Sequence, residues 1–334
     1  MELLLIIPLL VAFFVTFLIL PAWIKRAKKF GLVGSDMNKY KKTSVAEAGG
    51  IAVITGFVLS VLLYIAIKTF YIKSNENVIE IFALLVSILM LAFIGLMDGL
   101  LGWKIGLRKR FRIILCLFAA VPLMVINAGY SAVLLPIVGH INLGLIYPLI
   151  LVPIAIVGTS TTFNFLAGFN GLESSQGILI LSGLSMVAYF TGYPWLTLVG
   201  FCMVLSLMAF WIFNKVPAKA FPGDVLTYPV GGMIAIIAIL GNMEKIAIFF
   251  FIPYIIEVIL KLKGRLVKQS FGKPNKDDSL EMPYNKIYGL EHFSIWFLKK
   301  FNDKVYERNV VVFINIIQIA IILLGFLIFR QNIF

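Results

Sequence analysis

The sequence is short of charge, thiol and imidazole: it has two cysteines and two histidines, and Asp, Glu, Lys and Arg make up only 13% of its 334 residues. Cys116 and Cys202 both fall inside apolar runs, where a free thiol behaves as a small hydrophobe. They supply neither a disulfide framework nor a zinc pattern. No ionisable residue lies near the middle of any apolar run. An ion- or proton-coupled transporter would normally need one, so the chemistry belongs at a membrane surface. Period-2 alternation is also missing, which argues against a membrane β-barrel. There is no soluble domain, no low-complexity linker and no clear internal repeat. The first apolar run follows Glu2, with no basic segment before it and no convincing cleavage site. It reads as a retained span and not as a signal peptide.

What the sequence has is apolar length. Hydrophobic residues make up 61% of it and its mean hydropathy is +1.00, far outside the range of soluble domains. A span needs about 20 apolar residues. Ten such runs are expected at 3–24, 49–70, 79–98, 111–128, 145–163, 175–191, 195–213, 224–241, 245–263 and 309–328. The fold class is therefore all-α, a polytopic membrane protein with about ten transmembrane helices forming one transmembrane domain over 1–334.

Of the 29 Lys and Arg, 25 lie in the loops after the odd-numbered spans, at 25–48, 99–112, 164–174, 214–223 and 261–308. The positive-inside rule makes those loops cytoplasmic and puts both termini outside. The net charge of +13 is thus a topology signal and no evidence for nucleic acid. Glu257 lies near the inner end of a span with Lys261 one turn away, and the two could pair. Ile295-Trp296-Phe297-Leu298, followed by Lys299-Lys300, suggests a short amphipathic element on the membrane surface.

The most informative loop is Asn164-Phe165-Leu166-Ala167-Gly168-Phe169-Asn170-Gly171-Leu172-Glu173, which carries amides, glycines and a carboxylate but no cation. Such a loop is ordinary turn chemistry, yet it also offers oxygen ligands and pliant backbone to a metal ion and a phosphorylated ligand. Asp98 closes the third span, where a negative charge opposes the helix dipole and needs compensation. Arg108, Lys109, Arg110 and Arg112 follow it, and anchoring by these cations explains their presence but not that of Asp98. Phe221-Pro222-Gly223-Asp224 opens the eighth span. Asp is a favoured N-cap there, and it could equally meet Asn164 across the bundle as a ligand for a hard cation. Chemistry alone does not choose.

Seven segments in order, DMNK at 36–39, AEAGG at 46–50, GLMDG at 95–99, LRKRFR at 107–112, NFLAGFNGLE at 164–173, FPGD at 221–224 and SLEMPYNK at 279–286, resemble one family. It is that of the polyprenyl-phosphate N-acetylhexosamine-1-phosphate transferases, in particular the UDP-GlcNAc–dolichyl-phosphate GlcNAc-1-phosphotransferase branch. The resemblance implies Mg²⁺, with Mn²⁺ as an alternative, at Asn164 and Asp224. It implies catalytic roles for Asp98 and Arg112. It also implies substrate contacts from the first loop (Asp36, Asn38, Lys39 and Glu47, the last near the amino sugar) and from Leu166, Gly168, Asn170, Glu173 and Phe221. The second acid of the family's Asp-Asp pair is Gly99 here, and Arg112 stands where the family has a lysine. The family's Arg-His-Arg segment has no match, and Arg265, Lys268 and Lys273 are the nearest cations. His292 reads as a surface or helix-packing residue.

The expected reaction moves N-acetylhexosamine 1-phosphate, in the first instance GlcNAc 1-phosphate, from a UDP-sugar to a polyprenyl or dolichyl phosphate, releasing UMP. The expected setting is a lipid bilayer, an archaeal-type cell membrane before an ER membrane, with homodimerisation left open and nucleic acid excluded. Two alternatives stand beside it: a polytopic lipid or solute transporter, and a relative that binds nucleotide or lipid without turnover, for which Gly99 speaks.

Overall fold

A computed structural model describes residues 3–100, 108–135 and 139–333. Part of the expected loop 99–112, including Trp103 and Lys104, lies outside the described residues.

Helices fall on the apolar runs. They are α1 (Ile6–Lys29), α2 (Gly50–Ala66, continued by a π-helical turn Ile67–Ile72), α3 (Val78–Leu100), α4 (Lys109–Val125), α5 (Val152–Phe163, entered through a π-helical turn Tyr147–Leu151), α6 (Leu172–Phe190), α7 (Pro194–Asn214) and α8 (Asp224–Leu240). After them come α9 (Glu244–Phe250), α10 (Ile252–Lys263), the short α11 (Leu290–Leu298) and α12 (Glu307–Ile328). The run at 245–263 is two helices and not one. The chain breaks at Phe251, and Pro253, which lacks an N–H donor, occupies the first turn of α10. α11 starts five residues before the expected amphipathic element and contains its Ile295–Leu298.

Among the described residues, three two-stranded antiparallel pairs interrupt the helical pattern: β1 (Val33–Ser35) with β2 (Ser44–Ala46), β3 (Ala132–Leu135) with β4 (Gly139–Asn142), and β5 (Lys273–Pro274) with β6 (Leu280–Glu281). Their strands are two to four residues long, too short to leave a period-2 signal.

Among the described residues, five helical segments are long and apolar enough to cross a membrane by length and composition: Ile6–Lys29, Gly50–Ile72, Val78–Leu100, Pro194–Asn214 and Glu307–Ile328. Tyr147–Phe163 and Asp224–Leu240 are shorter apolar helices. The outward faces match a lipid environment, with Leu10, Phe14 and Leu18 on α1 and Leu323 and Leu327 on α12 exposed. This is a mostly helical membrane protein.

The centre of the bundle is α8, buried from Val225 to Leu240 and packed against α3, α5 and α6. Between apolar helices in lipid there is no hydrophobic gain on association, so close backbone approach has to hold them together. Gly95 shows how close: a Cβ there would lie 2.2 Å from the Asp224 carbonyl oxygen and 2.6 Å from the Val225 nitrogen. Only glycine lets α3 touch the first turn of α8. Gly95→Ala is expected to lose about 1–3 kcal/mol through overpacking against backbone that cannot yield. Gly158→Ala, whose added Cβ would meet nothing within 4 Å, is the control, and thermal unfolding in detergent compares the two. Equal midpoints would contradict this packing.

Candidate active site

Two helix ends meet at the centre of the site. Asn164 caps the C-terminus of α5, and Asp224 opens α8 after Gly223, which is held at φ +67°. The Asn164 side-chain amide donates to Asp224 Oδ1 at 2.8 Å. The last turn of α3 brings the Asp98 carboxyl into hydrogen-bonding contact with that of Asp224. Arg112, from the first turn of α4, pairs with Asp98 Oδ2 at 2.5 Å and lies over the Tyr228 ring at 5.7 Å. The Tyr228 hydroxyl donates to the same oxygen at 3.2 Å. Arg112 thus supplies the compensation that Asp98 needs at a helix C-terminus. Its Nε–H is buried without a partner.

Of this floor, Asn164 and Asp224 line a cavity of about 810 Å³, whereas Asp98 and Arg112 lie behind them and do not line it. Of the residues expected at a substrate, Asp36, Glu47, Asn164, Gly168, Asn170, Glu173, Phe221 and Asp224 line it. The Phe221 N–H donates to the Ala46 carbonyl at 2.8 Å, and the Phe221 carbonyl accepts from Gly49 N–H at 2.8 Å. This zipper fixes Phe221 beside Glu47. Gly99 also faces the cavity, and a Cβ there would meet nothing within 4 Å.

In the loop after α5, Gly168 is held at φ +101°, and a Cβ there would lie 2.8 Å from the Phe271 ring, so glycine is required twice over. Glu173 Oε1 accepts the Gly168 N–H at 3.1 Å. Burial pushes the Glu173 carboxyl up to about 7 and raises that of Glu47.

The raised Glu173 value has a definite sign. The unfolded chain gives up this proton near 4.5 and the folded protein near 7. Stability from the neutral carboxyl is therefore full below about pH 4.5 and is lost as pH rises through about 7. Glu173→Gln keeps the acceptor oxygen without the charge. It is expected to raise the unfolding temperature at pH 8, by up to about 3 kcal/mol of stability, and to leave it unchanged at pH 4.5. The same wild-type-minus-variant difference at both pH values would contradict this.

The residue that organises the far wall is Glu307, which the sequence reading had only among its loop residues. Its carboxylate, 1% exposed, accepts the Asn170 N–H at 2.7 Å, the Asn170 side-chain amide at 3.3 Å and the Asn38 amide at 3.4 Å. It also pairs with Lys39 at 3.0 Å. The Asn170 amide donates to Asp36 Oδ2 at 2.7 Å, and the Asn38 amide to the Gly168 carbonyl at 2.7 Å. Asp36, Asn38, Lys39 and Asn170 thus hold one another and the loop in place. Among them Asp36 and Asn170 also face the cavity.

Other expected contacts lie elsewhere. The Leu166 side chain is fully buried in the core. Arg265, Lys268 and Lys273 are exposed and do not line the cavity; Lys268 sits over the Tyr284 ring at 4.8 Å. In their place the neutral Gln269 and Phe271, together with Lys42, face the cavity. His292 is not at the surface: its imidazole is fully buried.

The model of glycosyl transferase family 4 matches residues 81–242, which include Asp98, Arg112, the 164–173 loop and Asp224. A Saccharolobus solfataricus protein, provisionally named a UDP-N-acetylglucosamine–dolichyl-phosphate N-acetylglucosaminephosphotransferase, is 38% identical over 86% of each chain. A Sulfolobus acidocaldarius protein with the same provisional name is 34% identical over 78% of each. The Dictyostelium discoideum UDP-N-acetylglucosamine–dolichyl-phosphate N-acetylglucosaminephosphotransferase is 26% identical over 77% of this chain and 70% of its own.

Proposed function

Since the chain belongs to glycosyl transferase family 4, we propose that it transfers GlcNAc 1-phosphate from UDP-GlcNAc to a polyprenyl or dolichyl phosphate. UMP is released, and the product is the first lipid-linked intermediate of a glycan. The observation that carries this reading is the Asp224–Asn164 pair at the cavity, backed by Asp98 and Arg112, in an otherwise apolar bundle.

The acceptor is already mostly ionised near neutral pH, because such second phosphate pKa values are about 6. No strong base is required. An oxygen of the lipid phosphate attacks the sugar-bearing phosphorus, the bond to the bridging oxygen breaks, and that oxygen leaves with UMP. Arg112, held by Asp98 behind the cavity lining, offsets phosphate charge with its guanidinium. Asp98 orients that guanidinium and can take the remaining proton of the lipid phosphate.

The donor set fits a magnesium ion. Two carboxylates in contact, Asp98 and Asp224, and the Asn164 carbonyl oxygen are hard oxygen ligands, and Mg²⁺ commonly takes one or two carboxylates plus substrate phosphates. Among the described residues no group of three or more His, Cys, Asp and Glu could hold a metal. Bound there, Mg²⁺, or Mn²⁺ in its place, would polarise the pyrophosphate and stabilise the charge of the departing UMP.

The distribution of Lys and Arg supports ten spans, both termini outside and a cytoplasmic cavity in a cell membrane, archaeal-type before ER. The test is nucleotide release by purified protein in detergent, given UDP-GlcNAc and dolichyl phosphate. Release should require the lipid phosphate, stop with EDTA and return with Mg²⁺. Release that ignores the chelator would remove the metal from this account, and release without lipid would remove the acceptor.

A further inference from the structure

The segment from Arg265 to Gly272 leaves α10 through two residues at positive φ, Arg265 at 55° and Leu266 at 56°, and has no regular structure up to Gly272. Its end nevertheless forms a wall of the cavity through Gln269 and Phe271, with the Phe271 ring against Gly168 of the 164–173 loop. A segment without a hydrogen-bond ladder takes its position from its tethers, and three of them are the following. The Gly272 N–H donates to Asn38 Oδ1 at 3.0 Å. The Gln269 N–H donates to the Tyr284 hydroxyl at 3.2 Å. The Lys261 ammonium donates to the Ser270 hydroxyl.

The third tether is the rigid one. Lys261 is 9% exposed and pairs at 3.2 Å with Glu257, which is fully buried. The other Glu257 oxygen accepts the Leu290 N–H at 2.6 Å at the start of α11. Behind the segment lies the buried His292, edge-on to Tyr284 at 5.4 Å. A buried charge pair on a helix thus reaches out to one hydroxyl, between the two residues that face the cavity. None of these groups touches the cavity itself.

We propose that Lys261 and Ser270 are positioning residues for the sugar nucleotide, which set the place of the Gln269–Gly272 wall against the 164–173 loop. This rests on the transferase reading above. The cations at 265, 268 and 273 stay outside the cavity, so this wall presents an amide and a ring, from Gln269 and Phe271.

The test measures UDP-GlcNAc binding by calorimetry without lipid, and the KM of both substrates, in wild type, Ser270→Ala and Ser270→Thr. Ser270→Ala leaves the Lys261–Glu257 pair intact, so the fold should persist. It should weaken UDP-GlcNAc about tenfold, as expected for one charge-assisted hydrogen bond. The KM for dolichyl phosphate and the unfolding midpoint should stay unchanged. Ser270→Thr restores the hydroxyl and should bind like wild type. Equal affinity of wild type and Ser270→Ala would overturn the inference, and so would a Thr variant as weak as Ala or an equal rise in the KM for the lipid. Wild type that neither binds nor turns over UDP-GlcNAc would instead sink the transferase reading on which the inference rests.

Discussion

Asp224→Asn is expected to lower lipid-dependent UMP release by about a thousandfold, equivalent to about 4 kcal/mol of transition-state stabilisation. The substitution is nearly isosteric, and the new amide oxygen can still accept the Asn164 N–H that Asp224 Oδ1 accepts at 2.8 Å. The helix start and its contact with Gly95 should survive, so the unfolding temperature should hold. What is lost is the charge that, on the proposed mechanism, would hold a divalent cation beside the pyrophosphate. Asp98→Asn acts differently, because it removes the partner of Arg112 at 2.5 Å and frees the guanidinium. Its effect should be smaller and should include a change in the KM for the lipid phosphate. Loss of activity in Asp224→Asn accompanied by a drop in unfolding temperature would point to a capping role for this residue instead.

Glu307→Ala should be the most damaging change outside the floor. The substitution leaves the Asn170 N–H without its 2.7 Å acceptor and Lys39 without its 3.0 Å partner. Removing one member of a buried, hydrogen-bonded charge pair costs about 3–5 kcal/mol. The loop that carries Gly168 and Asn170 loses its anchor on α12 at the same time. Expected are a clear fall in the unfolding midpoint and loss of UDP-GlcNAc binding by calorimetry. Glu307→Gln, which keeps an acceptor oxygen, should recover part of both. A Glu307→Ala variant that binds UDP-GlcNAc like wild type would show that the far wall does not depend on this carboxylate.

The helices were legible because apolar length is a strong and redundant signal, and the floor because Asn164, Asp98 and Asp224 interrupt it with polar groups. Glu307 was not. An acid in the first turn of a helix is favoured by the helix dipole whatever else it does, so nothing in the sequence separates an anchor from a bland helix start. The wall at 269–272 was hidden for another reason. Its cavity-facing residues are neutral, whereas Arg265, Lys268 and Lys273 drew attention by their charge and then turned outward. The roles expected of Asp36, Asn38 and Lys39 were blurred because short polar residues serve equally well as ligand contacts and as loop tethers. The structure shows them tethering.

The identity of the nucleotide product tests the central claim most directly. Purified protein with UDP-GlcNAc, dolichyl phosphate and Mg²⁺ should release UMP, one for each lipid diphosphate sugar formed, because the bond that breaks lies between the two phosphorus atoms of the donor. Release of UDP would mean that sugar alone is transferred, and the mechanism built on Asp224, Asn164, Asp98 and Arg112 would be wrong.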